Sequence, residues 1–194
     1  MRLWVGNTWI YTSLGRIWIE VKLRFGILTI SDRSARGERP DTSGPALEAI
    51  ITNQGWLIQR NAIIPDDLDE LTRTLSAWAD SGELDVILTT GGTGFGRRDV
   101  TPEATQAIIE RSAPGIAEAM RAASLQVTPH AMLSRATAGI RKRTLIINLP
   151  GSPKGAIENL NVVLPVLPHA VELLQDSPSA EAGHGAATEF TSPN

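Results

Sequence analysis

Residues 23–176 show apolar stretches in regular alternation with segments of mixed polarity. The run at residues 23–31 is mostly apolar and ends in small polar residues, which indicates a buried strand, and residues 85–90 indicate another buried strand. The intervening segments carry apolar residues three or four positions apart, as in Leu68, Leu71 and Leu75, which predicts amphipathic helices. The predicted strands cover residues 23–31, 56–64, 85–90 and 144–150.

The alternation of strands and helices predicts an α/β fold, in which helices cover both faces of a parallel sheet. Ligands of such sheets bind beside the carboxyl ends of the strands. We therefore expect one shared site at this edge of the sheet. Four predicted loops leave the strand ends there and carry most of the chemically distinctive residues: 31–43, 65–67, 90–101 and 150–153.

The two ends of the chain depart from this pattern. Residues 1–22 hold three of the five tryptophans, but polar residues interrupt the apolar stretch. We expect an accessory N-terminal extension there, such as an extra strand or hairpin, and no signal peptide. Residues 177–194 are small and polar and cannot bury enough apolar surface to fold, so we predict a disordered tail. One predicted domain remains, at residues 23–176.

Composition and charge narrow the chemistry. The net charge of -3 gives no general attraction to nucleic acid or to an anionic membrane, so neither is an expected partner. The chain contains no cysteine, which excludes disulfides, thiolate nucleophiles and cysteine metal sites. The three histidines are far apart in sequence and lack metal-ligand spacing. We see no apolar run that approaches the roughly 18–20 residues of a membrane span.

The most distinctive loop combines bare backbone with charge. Gly91, Gly92 and Gly94 follow a predicted strand and precede a helix for which Thr101 is the predicted cap. Glycine backbone can turn its N–H groups toward an anion, which suits a phosphate. The loop is not a Walker A motif, because the lysine is missing, and it has no G-x-G-x-x-G pattern. A tight strand–helix turn without a ligand is an equally good interpretation.

The charged residues of these loops each have two interpretations. Arg97 and Arg98 can bind a phosphate or carboxylate, or can form a solvated surface pair. Asp99 is either their salt-bridge partner, a ligand of Mg²⁺, or an acceptor for the amino edge of a heterocycle. Asp66 is either a functional carboxylate or a helix cap, a role that Asp67 could equally fill.

A second glycine turn, at residues 148–155, also joins a predicted strand to a helix, with Ser152 as the predicted cap. Ser124 and Ser134 lie in segment 124–139, which we expect to be an irregular connection whose hydroxyls bond to backbone. The sequence has no G-x-S-x-G elbow of a serine hydrolase. The residues alone therefore predict an α/β domain that binds a phosphate-bearing small molecule.

Five sequence blocks, in order and at suitable separations, carry a resemblance to a known family. They are ILTISDRSARGERPDTSGPAL, IIPDDLDEL, LTTGGTGFGRRDVTPEAT, TPHAMLSRATAGIRKRTLIINLPGSPKG and LPVLPHAVELL. Together they resemble the molybdenum-cofactor biosynthesis family, which includes the bacterial molybdopterin adenylyltransferases and equivalent domains of plant and animal cofactor-assembly proteins. The resemblance covers residues 23–176, and the run from Thr89 to Thr105 is highly specific to the family.

The resemblance implies a three-layer α/β/α fold with a mostly parallel sheet, usually assembled as a homotrimer. It implies a cytoplasmic enzyme that joins molybdopterin to ATP with the help of Mg²⁺, giving adenylyl-molybdopterin and pyrophosphate. A hand-over of this product to a molybdate-insertion enzyme is an expected partnership.

The resemblance also implies roles for particular residues. Asp66 and Asp99 match the family's essential aspartates, so they are the expected catalytic residues and Mg²⁺ ligands. The positions that match molybdopterin-binding residues are Gly91, Gly92, Thr93, Gly94, Ser124, Ser134, Asn148 and Pro150. The positions expected near the nucleotide are Ser31, Asp32, Gly151 and Ser152.

Two other functions stay open at this point. The same pocket could hold molybdopterin without adenylylating it, as a carrier or an inactive paralogue would. The molybdate-insertion step uses a related domain, but that enzyme normally carries additional domains, for which we expect no room in 194 residues.

Overall fold

The structure is a computed structural model that describes residues 8–12, 15–19 and 22–176. Its first two strands, β1 (Thr8–Thr12) and β2 (Gly15–Ile19), pair with each other in an antiparallel sheet of their own. This pairing matches the hairpin that was one expectation for the N-terminal extension. The boundaries of the domain at residues 23 and 176 stay predictions, and the predicted tail lies outside the described residues.

The main sheet has six strands. Four of them are parallel, and they correspond to the four predicted strands: β3 (Arg24–Ile30), β4 (Leu57–Ile64), β5 (Val86–Thr90) and β8 (Thr144–Leu149). Two short strands at one edge run antiparallel: β6 (Arg111–Ser112) and β7 (Ala138–Arg141). The strand order is β4-β3-β5-β8-β7-β6, so the sheet is mostly parallel, as predicted.

Seven α-helices complete the described part of the chain. They are α1 (Asp32–Ala35), α2 (Ser43–Asn53), α3 (Leu68–Asp80), α4 (Thr101–Ile108), α5 (Pro114–Leu125), α6 (Pro153–Val163) and α7 (Leu167–Leu174). Two short 3-10 helices accompany them, at Pro129–Leu133 and Leu164–Val166. The helical stretch that follows β8 is therefore divided near Pro165 and Pro168.

The helices cover both faces of the sheet. One apolar core joins the sheet to α2, α5, α6 and α7, and a second core joins it to α3 and α4. Along β5 the side chains alternate between them, since Val86 and Leu88 enter the first core and Ile87 enters the second. This alternation confirms the three-layer α/β/α prediction and explains why β3, β5 and β8 are nearly continuous apolar runs.

Segment 124–139 is the main departure from the predicted secondary structure. We expected an irregular connection, but the structure has a 3-10 turn followed by β7, which pairs with β8. The strand is made of Ala138, Gly139, Ile140 and Arg141, of which only Ile140 has a marked strand preference. Its conformation is set by pairing with the buried β8, and local sequence does not reveal that pairing.

The helical stretch Pro153–Leu174 has the length and composition of a membrane span. In the folded domain, however, Leu160, Leu167 and Val171 are fully buried in the first core. Packing of this kind is an ordinary reason for such a composition, so the stretch is only weak evidence for a membrane.

Candidate functional site

The loops at the carboxyl ends of the parallel strands are tied to one another by hydrogen bonds. Thr90 Oγ1 donates to Pro150 O over 2.8 Å, and Ser43 Oγ donates to Gly151 O over 2.8 Å. Ser31 N donates to Ile64 O over 2.9 Å. The four predicted loops therefore lie together at one edge of the sheet.

Two glycines at this edge have conformations that other residues rarely adopt. Gly91 has φ 108° and Gly92 has φ 62°. A Cβ atom at position 91 would lie 2.2 Å from Ile30 O, and one at position 92 would lie 2.5 Å from Thr101 Oγ1. Both positions therefore require glycine. The amides of Gly92, Thr93 and Gly94 donate to no other residue in the described part of the chain, so they are free to bind an anion.

Thr101 supports this loop instead of capping a helix as predicted. It is the first residue of α4, and its hydroxyl donates to Gly91 O over 2.8 Å. Its own amide donates to Gly92 O over 3.1 Å. Thr101 thus fixes the glycine backbone, which explains why a side-chain cap is missing at this helix.

Three aspartates and an arginine form a charged group beside the glycines, which we call the acidic rim: Asp32, Asp66, Asp99 and Arg98. Asp32 N donates to Asp66 Oδ2 over 2.8 Å, and Asp66 N donates to Asp32 Oδ1 over 3.1 Å. Asp66 Oδ1 would lie only 3.4 Å from a Cβ atom at position 92. The α3 cap is the neighbouring Asp67, whose Oδ1 accepts from Glu70 N, so Asp66 is free for another role.

The carboxyls of Asp32 and Asp66 have opposite electrostatic environments. Arg98 donates to both oxygens of Asp32, over 3.0 and 2.7 Å, and this lowers the pKa of Asp32. Partial burial raises the pKa of Asp66, and the negative charges of Asp32 and Asp99 add to this effect. Arg98 therefore neutralises one carboxylate and leaves the other without a bonded cation.

Asp99 is enclosed by the loop that it belongs to. Its Oδ2 accepts from Gly96 N over 2.8 Å and would lie 2.9 Å from a Cβ atom at either position 94 or position 96. The salt bridge suggested between Asp99 and its neighbouring arginines is wrong, because Arg98 binds Asp32 instead. Among the described residues, no donor bonds to Oδ1 of Asp66 or of Asp99.

Whether the acidic rim fits a metal ion depends on the unbonded Oδ1 atoms of Asp66 and Asp99. In the described part of the chain, no group of three or more His, Asp or Glu side chains could hold a metal alone. Mg²⁺, however, is usually held by one or two carboxylates together with phosphate oxygens and water. The donor set of Asp66 and Asp99 fits a hard cation that arrives with a phosphate.

A cavity of about 600 Å³ lies next to the acidic rim, because Thr93 and Gly94 line it and a Cβ atom at Gly94 would lie 2.9 Å from Asp99 Oδ2. Much of its wall is apolar, with contributions from Met120, Ala131 and Leu133. Its polar wall residues include Thr93, Arg121, Ser124, Ser134, Ser152 and Lys154. An apolar cavity with a few polar groups is typical of a site for a small organic molecule.

A family model described as a probable molybdopterin binding domain matches residues 26–169. The chain belongs to this family. Among its relatives, the molybdopterin adenylyltransferase of Helicobacter pylori is 40% identical over 156 residues, which cover 78% of this chain and 88% of the relative. The molybdopterin adenylyltransferase of Escherichia coli K12 is 44% identical over 143 residues, 73% of each chain.

Larger relatives and solved structures agree with this family. Gephyrin of Dictyostelium discoideum is 47% identical over 165 residues, which cover 80% of this chain and 23% of gephyrin. The chain thus spans about a quarter of that relative and, similarly, 26% of the Drosophila melanogaster molybdenum cofactor synthesis protein cinnamon. The molybdopterin biosynthesis enzyme MoaB of Thermus thermophilus has a TM-score of 0.76 and 50% identity, covering 80% of this chain and 98% of MoaB.

The residues expected from membership of the molybdopterin-binding family fall into two groups in space. Thr93, Gly94, Ser124, Ser134 and Pro150 line the cavity, and their contact with molybdopterin stays a prediction. Ser152 lies on the same wall although it was expected near the nucleotide. Asp32, Asp66 and Asp99 form the rim. Ser31 caps α1 beside the rim through Ser34 N, and Gly151 packs against Gly91, with a Cβ atom there 3.1 Å from Gly91 Cα.

Asn148 lies neither on the cavity wall nor in the acidic rim. It is fully buried, and its amide donates to Thr89 Oγ1 and Thr105 Oγ1 while accepting from Thr137 N. A direct contact with molybdopterin stays a prediction. The observed bonds favour a positioning role, because they join β8 to β5, α4 and the start of β7.

Arg135 is a site residue that the sequence analysis missed. Its Nε donates to Gly94 O over 2.6 Å, its Nη2 donates to Asp99 O over 2.5 Å, and its Nη1 pairs with Glu103. Its amide also donates to Thr93 O over 2.9 Å. Arg135 therefore clamps the segment that joins the cavity to the rim. Its partners lie at least 32 positions away in sequence, so no local pattern indicates this role.

Proposed function

We propose that this chain transfers the adenylyl group of ATP to the phosphate of molybdopterin, giving adenylyl-molybdopterin and pyrophosphate. The observation that carries the proposal is the adjacency of two unlike regions: a cavity suited to an organic ligand, and a rim with two open carboxylate oxygens. Thr93 and Gly94 line the cavity and Gly94 packs against Asp99 of the rim, so ligands of the two regions would meet there. The names of the bacterial relatives support the same activity.

The chemistry asks the protein to bring two anions together. An oxygen of the molybdopterin phosphate attacks the α-phosphorus of ATP, and the bond from that phosphorus to the bridging oxygen breaks as pyrophosphate leaves. Such a transfer depends mainly on positioning and on electrostatic stabilisation of the phosphates. The free amides of Gly92, Thr93 and Gly94 point to this task, because they can donate to phosphate oxygens between the two regions.

Asp66 and Asp99 are the residues that we assign to metal binding. Mg²⁺ held by their open oxygens would offset the negative charge of the phosphates. Arg98 and Asp32 act one step further away, since Arg98 fixes Asp32 and Asp32 holds the backbone of Asp66. We assign the nucleotide to this rim and molybdopterin to the cavity.

The proposal is tested with purified protein, molybdopterin and ATP labelled at its α-phosphate. We expect labelled AMP to appear on molybdopterin and unlabelled pyrophosphate to be released. Binding of molybdopterin without transfer would instead favour the carrier function. Release of AMP from adenylyl-molybdopterin only when molybdate is added would favour the insertion step.

The assembly and cellular context are proposals that rest on the family resemblance. We propose a homotrimer that works in the cytoplasm and passes its product to a molybdate-insertion enzyme. Light scattering of the purified protein checks the first point, because a trimer has three times the mass of the 20.9 kDa chain. A dimer or monomer at assay concentration would contradict it.

A further inference from the structure

Arg121, which the sequence analysis did not select, is a half-buried cation on the wall of the cavity. Its Nη1 donates to two backbone carbonyls, Ser134 O over 3.3 Å and Ala136 O over 2.8 Å. Within the described ranges, no carboxylate comes within 4.0 Å of its guanidinium. A partly buried charge is normally paired, so a cation held in place without a counter-ion suggests that a ligand supplies the anion.

The serine hydroxyls on the same wall have a fixed direction of hydrogen bonding. Ser124 Oγ accepts from Asn159 Nδ2 over 3.1 Å, and Ser134 Oγ accepts from Ala136 N over 3.4 Å. The Asn159 amide also donates to Gly155 O, so it acts toward Ser124 only as a donor. Neither hydroxyl donates to another residue in the described part of the chain. Each therefore keeps its O–H proton available for a ligand in the cavity.

These groups lie close to one another on the cavity wall. Arg121 and Ser124 are three positions apart on α5, and side chains at this spacing share one face of a helix. Ser134 is joined to Arg121 through its own carbonyl. The wall thus combines one cation with two hydroxyl donors, while most of the surrounding wall is apolar and strengthens electrostatic interactions.

We infer that Arg121, with Ser124 and Ser134, binds the phosphate group of molybdopterin. A phosphate offers only acceptor oxygens and negative charge, which matches a wall of donors. A pterin ring carries both donors and acceptors at its edge, so it matches this wall less well. The inference rests on the proposed function, because it assigns the substrate's phosphate to one side of the cavity.

The second charged pair on the wall does not change this assignment. Lys154 lies 3.8 Å from Glu158, its neighbour one helical turn away, and its side chain is 80% exposed. Such a pair contributes little on its own, and its charges cancel. Arg121 therefore supplies the uncompensated positive charge of the cavity.

The test compares binding of molybdopterin with binding of its dephosphorylated form, prepared with a phosphatase and measured by pterin fluorescence. We expect Arg121→Gln to weaken binding of molybdopterin about 10- to 100-fold, as expected for the loss of a charge-assisted hydrogen bond. Binding of the dephosphorylated form and of ATP should stay nearly unchanged. Arg121→Lys, which keeps the charge, should fall between the wild type and Arg121→Gln.

A matched control is Arg73→Gln, which removes an exposed arginine of α3 outside the cavity and should alter neither affinity. Equal weakening of both pterin forms would overturn the inference, because Arg121 would then only hold the Ser134–Ala136 backbone. Unchanged binding, or a loss confined to ATP, would overturn it as well. If the wild type transfers AMP while Arg121→Gln keeps its preference for the phosphorylated form, the inference fails and the proposed function stands.

Discussion

The aspartates at the two ends of the central sheet have opposite environments. At the amino end, Asp85 is 4% exposed and its carboxylate accepts from Arg24 N, from two nitrogens of the Arg24 guanidinium and from Gln175 Nε2. Nearby, Asp80 binds both Arg141 and Lys142, whose hydrogen bonds lower the pKa of Asp80 to about 2. The protein supplies a cation for each of these carboxylates.

At the carboxyl end, Asp66 and Asp99 each keep an oxygen that no described residue bonds. Backbone of Gly94 and Gly96 packs against Asp99, where a Cβ atom would lie 2.9 Å from Oδ2, and backbone of Gly92 lies beside Asp66. Burial raises the pKa of Asp66, and no bonded cation offsets this. The protein therefore completes the two aspartates at the amino end with bonded partners. It leaves Asp66 and Asp99 at the carboxyl end incomplete, because each keeps an unbonded oxygen. The incomplete end is the one that fits a substrate and its metal.

The comparison predicts that an open carboxylate is essential for turnover and dispensable for folding. We expect Asp99→Asn to reduce adenylyl transfer at least about 100-fold, equivalent to roughly 3 kcal/mol in the barrier. Asparagine keeps the size and an oxygen that can accept from Gly96 N, so the melting temperature should change little. Asp69→Asn, at an exposed position in the first turn of α3, is the matched control. Normal turnover by Asp99→Asn would contradict the assignment.

A completed carboxylate should behave in the reverse way. We expect Asp85→Ala to lower the free energy of unfolding by about 3 kcal/mol, because it leaves the Arg24 guanidinium and Gln175 without their acceptor. Urea denaturation measures this loss. The kcat/KM of the folded fraction should equal that of the wild type, since Asp85 lies at the opposite end of the sheet. A variant that is stable but inactive would break the distinction between the two ends.

The glycine backbone at the carboxyl end should tolerate no side chain. We expect Gly91→Ala to cost roughly 2 kcal/mol of stability, because its Cβ atom would collide with Ile30 O at a positive φ. Turnover should fall as well, since the shifted loop carries the free amides. Gly115→Ala is the control, because a Cβ atom there meets nothing within 4 Å. Thermal melting of both variants separates local collision from a general effect of adding a methyl group.

The smallest expected effect concerns pH. The pKa of Asp66 is raised above its ordinary value of 3.8, so the folded state holds this proton more tightly than the unfolded chain does. Stability from this carboxyl is therefore lost as pH rises through the raised pKa. Asp66→Asn should melt slightly higher than the wild type at neutral pH, and its advantage should shrink as pH falls through that pKa.

Asp32 should show the opposite sign. Its pKa is lowered by Arg98, so it contributes stability above pH 3.8 that is lost as pH falls through the lowered pKa.

In turnover, wild-type activity should decline on the acid side as Asp66 becomes protonated. A melting temperature for Asp66→Asn below that of the wild type at neutral pH would show that burial does not strain this carboxylate.

Much of the fold was accessible from the sequence because three of the parallel strands are buried on both faces. β3, β5 and β8 are nearly continuous apolar runs for that reason, and the glycine loops follow from residue type alone. Strands β6 and β7 gave no signal, because they are short, β7 depends on pairing with β8, and β6 depends on pairing with β7. The pattern of apolar and polar residues along the chain indicates which strands are buried, but it does not indicate which strands pair with each other.

The sequence indicated which residues belong to the site, but it did not indicate which residues they bond to. Asp66 and Asp67 were equal candidates for a helix cap, and the folded structure separates them, because Asp67 caps α3 whereas Asp66 exchanges bonds with Asp32. Arg98 binds an aspartate 66 positions away, and Arg135 clamps a loop 36 to 41 positions away. Contacts over such separations leave no periodicity in the chain, so they emerge only from the folded structure.

The reversed direction of β7 has a consequence for how this site can diverge. Because β7 runs antiparallel to β8, the residues that precede it, and not those that follow, reach the carboxyl edge and build one wall of the cavity. That wall therefore belongs to a separate connection from the ones that hold Asp66 and Asp99. Exchanging residues 126–133 between family members should alter which pterin is accepted while leaving the phosphoryl chemistry in place.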